Sequence, residues 1–337
     1  MLVNLLDYAN CSAVNSVIRP PRAEYNLSRL PTRRDINGYG PVFRQGVSFE
    51  NNRGQKIVGS YFAPNGDIAN PPCVIYLHGN ASCQLEGFFL LPIFIPFGCS
   101  VLCIDCSGSG NSDGEVISLG YFESDDVLCA IKFLRERYKV GKIALWGRSM
   151  GAATSLLTIA KDPTISAAVV DSPFASLHDL IYEIGCNLPF PKFMVKIYVN
   201  FMRFKIRKIA NFNIDDVEPI KYSPNSTVPL FLIHGANDTF INCKHSRRIY
   251  EAYSGEKHIE IVPGNHNSIR PQDVMILAIL HIANQLGIQI DIEAIPPIEE
   301  EDNANYHFEN AMDMGASRGN NNKEQLHEVL VKSEEID

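Results

Sequence analysis

Short apolar runs alternate with longer amphipathic stretches from Val47 to about position 288. The runs are VSFE, KIVGSYFAP, CVIYLHG from Cys73, SVLCIDC from Ser100, KIALWG from Lys142, AAVVDSP from Ala167, PLFLIHG from Pro229 and HIEIVPG from His258. The later runs are continuous and apolar, as strands covered on both faces must be. Helix-like stretches fall between them at 85–94, 121–138, 150–161, 244–253 and 271–286. In the second of these, Val127, Ala130, Ile131 and Leu134 repeat at the three- and four-residue spacing of one buried face. Strand alternating with helix predicts an α/β fold built on a mostly parallel sheet with helices on both faces.

Residues 174–226 break this rhythm with a long stretch, rich in aromatics, that reads as helical. An insertion of that length between two strands predicts a lid over their carboxyl ends. The chain therefore divides into an irregular N-terminal segment at 1–45, an α/β domain at 46–288 carrying the lid, and a tail at 289–337. From Asp291 to the end, 13 acids face 3 bases, whereas the preceding 290 residues hold 25 acids and 27 bases. The tail is acidic and the body nearly neutral. Its sparse apolar residues predict disorder, with one short helix at 323–331.

Charge and cysteine usage narrow the setting. The body has no dominant basic stripe, so nucleic acid is not an expected partner. The nine cysteines are odd in number and mostly embedded in apolar runs, which points to free thiols in a reducing compartment. Cys103 and Cys106 form a C-x-x-C pair, but it ends a strand-like run and precedes a Ser/Gly loop instead of opening a helix, which argues against redox or metal work. The opening MLVNLLDYAN lacks a basic region and meets an acid at Asp7, and no apolar stretch reaches membrane-spanning length. The expected location is cytoplasmic.

G-x-S-x-G occurs twice, at 147–151 and at 110–114. The pattern arises by chance in roughly one chain of this length in ten, so context must choose. The copy around Ser149 follows KIALW directly and runs into AATSLLTIAK, giving strand, sharp turn and helix. The copy around Ser112 lies in a Gly/Ser-rich loop. Only Ser149 fits a nucleophile elbow, in which a strained turn lifts the hydroxyl clear of the sheet. A serine needs a base to take its proton and a carboxylate to orient that base, in the chain order Ser, acid, His. His266, in the VPGNHNS loop after the last strand, is the expected base. Asp238, just beyond PLFLIHG, is the expected acid, with Asp171 as runner-up. The oxyanion donors are expected to be the backbone N–H groups of Met150 and Asn80, with Ala81 the alternative to Asn80. His78 is expected to brace its loop. No metal and no organic cofactor is called for.

HGNAS, DCSGSGNSDG, GRSMG, HGAND and GNHNS, in this order, resemble the α/β-hydrolase superfamily, in particular the serine aminopeptidase-like hydrolases and the related eukaryotic group that includes protein depalmitoylases. The likeness spans residues 16–288. It implies an eight-stranded α/β-hydrolase fold, a serine hydrolase activity on an ester, thioester or amide, and the roles above for Ser149, Asp238, His266, Met150 and Asn80. Where many relatives carry an Arg in the loop after the Asp at 105, this chain has Cys106-Ser107-Gly108. The substrate is expected to be a small molecule or an acylated or peptide group. Acyl (thio)ester hydrolysis and aminopeptidase-like work both stay open, and a catalytically silent scaffold is the alternative from another class.

The lid carries one further signal. Positions 185–214 contain no acid, while Lys192, Lys196, Arg203, Lys205, Arg207 and Lys208 are interleaved with Phe193, Met194, Ile197, Tyr198, Phe201 and Phe204. A basic amphipathic helix can rest on an anionic bilayer. The plainer expectation is a helix packed by its apolar face on the body.

Overall fold

The computed structural model describes residues 13–297. Among these residues nine strands form one sheet in the order β1-β2-β3-β5-β4-β6-β7-β8-β9. They are β1 (Arg33–Ile36), β2 (Gly40–Glu50), β3 (Lys56–Phe62), β4 (Cys73–Leu77), β5 (Ser100–Asp105), β6 (Ile143–Arg148), β7 (Ala167–Asp171), β8 (Leu230–Gly235) and β9 (Lys257–Val262). The first three pair antiparallel, β3 pairs antiparallel with β5, and every later pairing is parallel. Strands β4, β5, β7 and β8 are buried at every position, matching their unbroken apolar sequence. At the edge, β9 is only partly covered.

The ninth strand and the early start of β2 correct two expectations. Residues 1–45 are not irregular throughout: 13–18 are helical, Arg33–Ile36 is a strand, and β2 begins at Gly40. The charged RRDI sequence hides a strand because its order comes from pairing with the first four residues of β2 across a three-residue turn that begins with Asn37-Gly38. That dipeptide is a hairpin signal in its own right. Of the tail, only 289–297 is described, including a 3₁₀ turn at Ile292–Ala294. The expectations of disorder and of a helix at 323–331 lie outside the described residues.

The long helices are α1 (Tyr121–Tyr138), α2 (Met150–Lys161), α3 (Leu177–Cys186), α4 (Lys192–Ala210), α5 (Lys244–Ala252) and α6 (Gln272–Leu286). The stretch at 85–94 is mostly 3₁₀, with one α-turn at Leu91–Phe94. Among the described residues, buried apolar side chains gather in two clusters. The first joins sheet residues such as Ile75, Leu102 and Leu145 to the buried face of α1, Val127, Ala130, Ile131 and Leu134. The second lies under the insertion, where Val195, Val199, Met202 and Ile206 of α4 meet Phe174, Leu177 and Leu180, together with Val14 and Ile18 of the N-terminal helix. Among the described residues no helix is long and apolar enough to cross a membrane.

Candidate active site

The carboxyl ends of β4, β6, β8 and β9 lie in neighbouring parallel strands, so the loops leaving them share one rim of the sheet. Ser149 occupies the turn between β6 and α2 with φ +53° and ψ −113°, a conformation that L-residues rarely hold. The two flanking glycines are dictated by space. A Cβ on Gly147 would lie 2.2 Å from the carbonyl oxygen of Gly151, and one on Gly151 would lie 2.0 Å from that of Leu77. The Ser149 N–H donates to the Asp171 carbonyl at 2.8 Å, tying the turn to β7.

His266 stands between the other two candidate groups. Its Nε2 is 3.1 Å from Ser149 Oγ and its Nδ1 is 2.6 Å from Asp238 Oδ2. Because a carboxylate can only accept, Nδ1 carries the proton and Nε2 is free to accept from the serine hydroxyl. The other Asp238 oxygen accepts from the N–H groups of Phe240 and Ile241 at 2.9 and 2.8 Å. Burial alone would raise the Asp238 pKa. Hydrogen bonds from His234, His266 and the Ile241 backbone outweigh burial and hold its carboxyl well below the usual range. Asp238 therefore stays an anion beside the imidazole. The edge of Phe240 covers the His266 ring, with centroids 5.2 Å apart.

Residues 73–212 match the family model described as serine aminopeptidase, S33. The esterase Pf2001 of Pyrococcus furiosus superposes with a TM-score of 0.60 at 20% identity, over 80% of this chain and 98% of that one. The chain has the α/β-hydrolase fold. An acylaminoacyl peptidase of Pyrococcus horikoshii superposes on this chain with a TM-score of 0.57 at 18% identity, over 75% of this chain and 44% of that one. A Bacillus subtilis protein, YqkD, is 26% identical over 64% of this chain and 70% of its own length.

The structure keeps the remaining sequence candidates apart from the relay. Asp171 is held by Arg270, whose Nε and Nη2 reach its carboxylate at 2.9 to 3.1 Å, and it makes no bond to His266. Ser112, in the second G-x-S-x-G, is buried, donates to the Asp105 carbonyl at 2.6 Å and accepts from the Val58 N–H at 2.8 Å. Its hydroxyl is committed to the backbone. His78 is also buried; one ring nitrogen donates to the Gly79 carbonyl at 2.7 Å and the other accepts from the Cys106 N–H at 3.1 Å, which makes it a loop brace. In the loop after β4 the Gly79 N–H is taken by Glu86 Oε2 at 3.0 Å, which leaves Asn80 and Ala81 as that loop's candidate donors. Ala81 sits at φ +60°. Met150 opens α2, where helix N–H groups point outward.

Sequence reasoning missed the groups that hold these loops. Arg148, inside the motif, pairs with Glu86 at 3.2 Å, and its Nη2 donates to Asn267 Oδ1 at 2.8 Å and to the His266 carbonyl at 3.3 Å. Arg270 donates to the same carbonyl at 3.3 Å. His234, fully buried, donates through Nε2 toward the Ile241 carbonyl at 2.7 Å and Asp238 at 3.3 Å. Nothing local in the sequence marks the partners of Arg148, which lie 62 to 119 positions away, and His234 is hidden inside a strand. The Cys106-Ser107-Gly108 loop is braced from elsewhere. Arg22 donates to the carbonyls of Gly108 and Gly114. Arg53 reaches Ser107 Oγ at 2.9 Å and buried Asp126 at 2.6 Å. The described cysteines are all free, and burial pushes the Cys103 and Cys106 thiols far above the usual range, so they are poor nucleophiles and poor ligands.

Proposed function

We propose that this protein is a serine hydrolase of the reducing intracellular space, working through an acyl-enzyme on Ser149. The single observation that carries the reading is the unbroken relay from Ser149 Oγ to His266 at 3.1 Å and on to Asp238 at 2.6 Å. His266 Nε2 takes the hydroxyl proton as Oγ attacks the substrate carbonyl. Asp238 stabilises the imidazolium that forms. The Met150 N–H and that of Asn80, with Ala81 as the alternative, receive the oxyanion, and His266 then returns its proton to the leaving group. Water, deprotonated by the same imidazole, releases the acyl group in a second round.

An ester or thioester is the favoured substrate. An aminopeptidase needs a free carboxylate for the substrate's α-amine, whereas two acids bonded to the loops of the site are already matched: Glu86, on the Gly79 N–H, by Arg148, and Asp171, whose carbonyl takes the Ser149 N–H, by Arg270. The active chain should be labelled by a fluorophosphonate and the Ser149→Ala chain should not. It should cleave p-nitrophenyl acyl esters faster than aminoacyl amides. Labelling that persists in Ser149→Ala would refute the nucleophile assignment, and faster amide cleavage would refute the substrate class.

A further inference from the structure

Helix α4 is apolar on two opposite faces, and only one of them is covered. Val195, Val199, Met202, Ile206 and Ala210 are buried in the core beneath the insertion. Phe193, Ile197 and Phe204 are exposed to 66%, 66% and 64% of their surface. At about 100° of rotation per residue, these three side chains fall within roughly 40° of one another and roughly opposite the buried row. The outward stripe is extended by Met194 and, in the turn that precedes the helix, by Leu188 and Phe190, all partly exposed. Eight of the 15 large apolar side chains exposed among the described residues lie between Ile184 and Ile209. Scattered exposed apolar residues are ordinary; a concentration of this kind on one helix and the segment leading into it marks a surface that meets something apolar.

The cations specify what it meets. On the same wheel, Lys192, Lys196, Arg203 and Arg207 run along one flank of the outward stripe, and Lys205 and Lys208 along the other. Only Arg203 has a carboxylate partner among the described residues, Asp215 at 2.8 Å. The Lys205 ammonium lies over the Phe201 ring, 5.3 Å from its centroid. An apolar stripe between two rows of ammonium and guanidinium groups fits a layer that is apolar at depth and anionic at its surface. A second copy of this chain fits poorly, because pairing two such helices would bring the cationic rows together.

We propose that the outer face of α4 docks the hydrolase on an anionic lipid bilayer, with Phe193, Ile197 and Phe204 entering the headgroup boundary and the flanking lysines and arginines contacting lipid phosphate and carboxylate. The helix lies in the plane of the membrane and does not cross it. This inference does not rest on the catalytic reading, since the Ser149→Ala chain presents the same surface.

The test is flotation of the full-length protein with vesicles of phosphatidylcholine alone or mixed with phosphatidylserine, at low and at physiological salt. Binding to the mixed vesicles should exceed binding to neutral ones by at least about tenfold and should fall as salt rises. The triple variant Phe193→Ser, Ile197→Ser, Phe204→Ser should lose at least about tenfold in binding at low salt while keeping the parent's thermal midpoint, because these side chains are outside the core. Lys192→Glu with Lys196→Glu should lose roughly fivefold or more per residue and abolish the preference for phosphatidylserine. The proposal is overturned if the parent ignores mixed vesicles at low salt, or binds neutral ones equally well. It is also overturned if the serine variant binds unchanged, or if light scattering without lipid reveals self-association that the serine variant removes. The last result would make a second copy the occupant of this face.

Discussion

The two G-x-S-x-G loops share a pattern and differ in everything the pattern omits. At 147–151 the serine follows a buried strand, opens a helix, and turns its hydroxyl toward His266. At 110–114 the serine hydroxyl is spent on the Asp105 carbonyl and the Val58 N–H. Both loops need their glycines for space. A Cβ on Gly110 would stand 2.3 Å from the Asp105 carboxylate, which also accepts from the N–H groups of Gln84 and Asn111. A glycine-flanked serine is thus a device for packing a tight turn, and it becomes a nucleophile only where the fold leaves the hydroxyl facing a base.

This contrast breaks most visibly in turnover. Ser149→Ala should reduce ester hydrolysis by about 10⁴- to 10⁶-fold with little change in thermal midpoint, while Ser112→Ala should stay within a few-fold of the parent, measured as kcat/KM on folded protein. A Ser112→Ala chain that folds normally and has lost its turnover would erase the distinction. Next come the glycines. Gly151→Ala forces a methyl group against the Leu77 carbonyl and should cost about 3 kcal/mol or more in denaturant unfolding, because backbone on both sides resists the shift.

Smaller effects sharpen the picture. Ser112→Ala leaves the buried Val58 N–H without an acceptor and should cost about 1 to 3 kcal/mol. The Asp238 carboxyl has a folded pKa below its ordinary value of 3.8, so its ionised form adds stability above that value. The contribution is lost as pH falls through the folded pKa. The stability gap between the parent and Asp238→Asn should therefore be full near neutrality and close only below about pH 4. A gap that closes between pH 5 and 7 would mean that Asp238 is not held as a buried anion.

Much of the architecture could be read because it rests on short-range patterns. Continuous apolar runs marked β4, β5, β7 and β8, and the three- and four-residue spacing marked α1, whose bounds at Tyr121–Tyr138 coincide with the expected helix. The chain order of serine, acid and histidine singled out the three groups that the structure brings within hydrogen-bonding reach. Strand β1 escaped because RRDI has no apolar alternation and is ordered by its partner. The outward row of α4 was legible as residues and not as a face, since Phe193, Ile197 and Phe204 become a surface only once Val195, Val199 and Met202 are seen to be the buried side.

What the amino-acid order determined unaided was periodicity: which segments are strands or helices, and where a strained glycine-flanked serine could sit between the two. Tertiary structure decided the pairings between distant residues, such as Arg148 on the His266 carbonyl, Arg270 on the Asp171 carboxylate, and Arg22 on the Gly108 loop. The reason is physical. A backbone periodicity is written within a few residues, whereas the partner of a buried charge is any complementary group that folding carries to within about 3 Å, from any point in the chain.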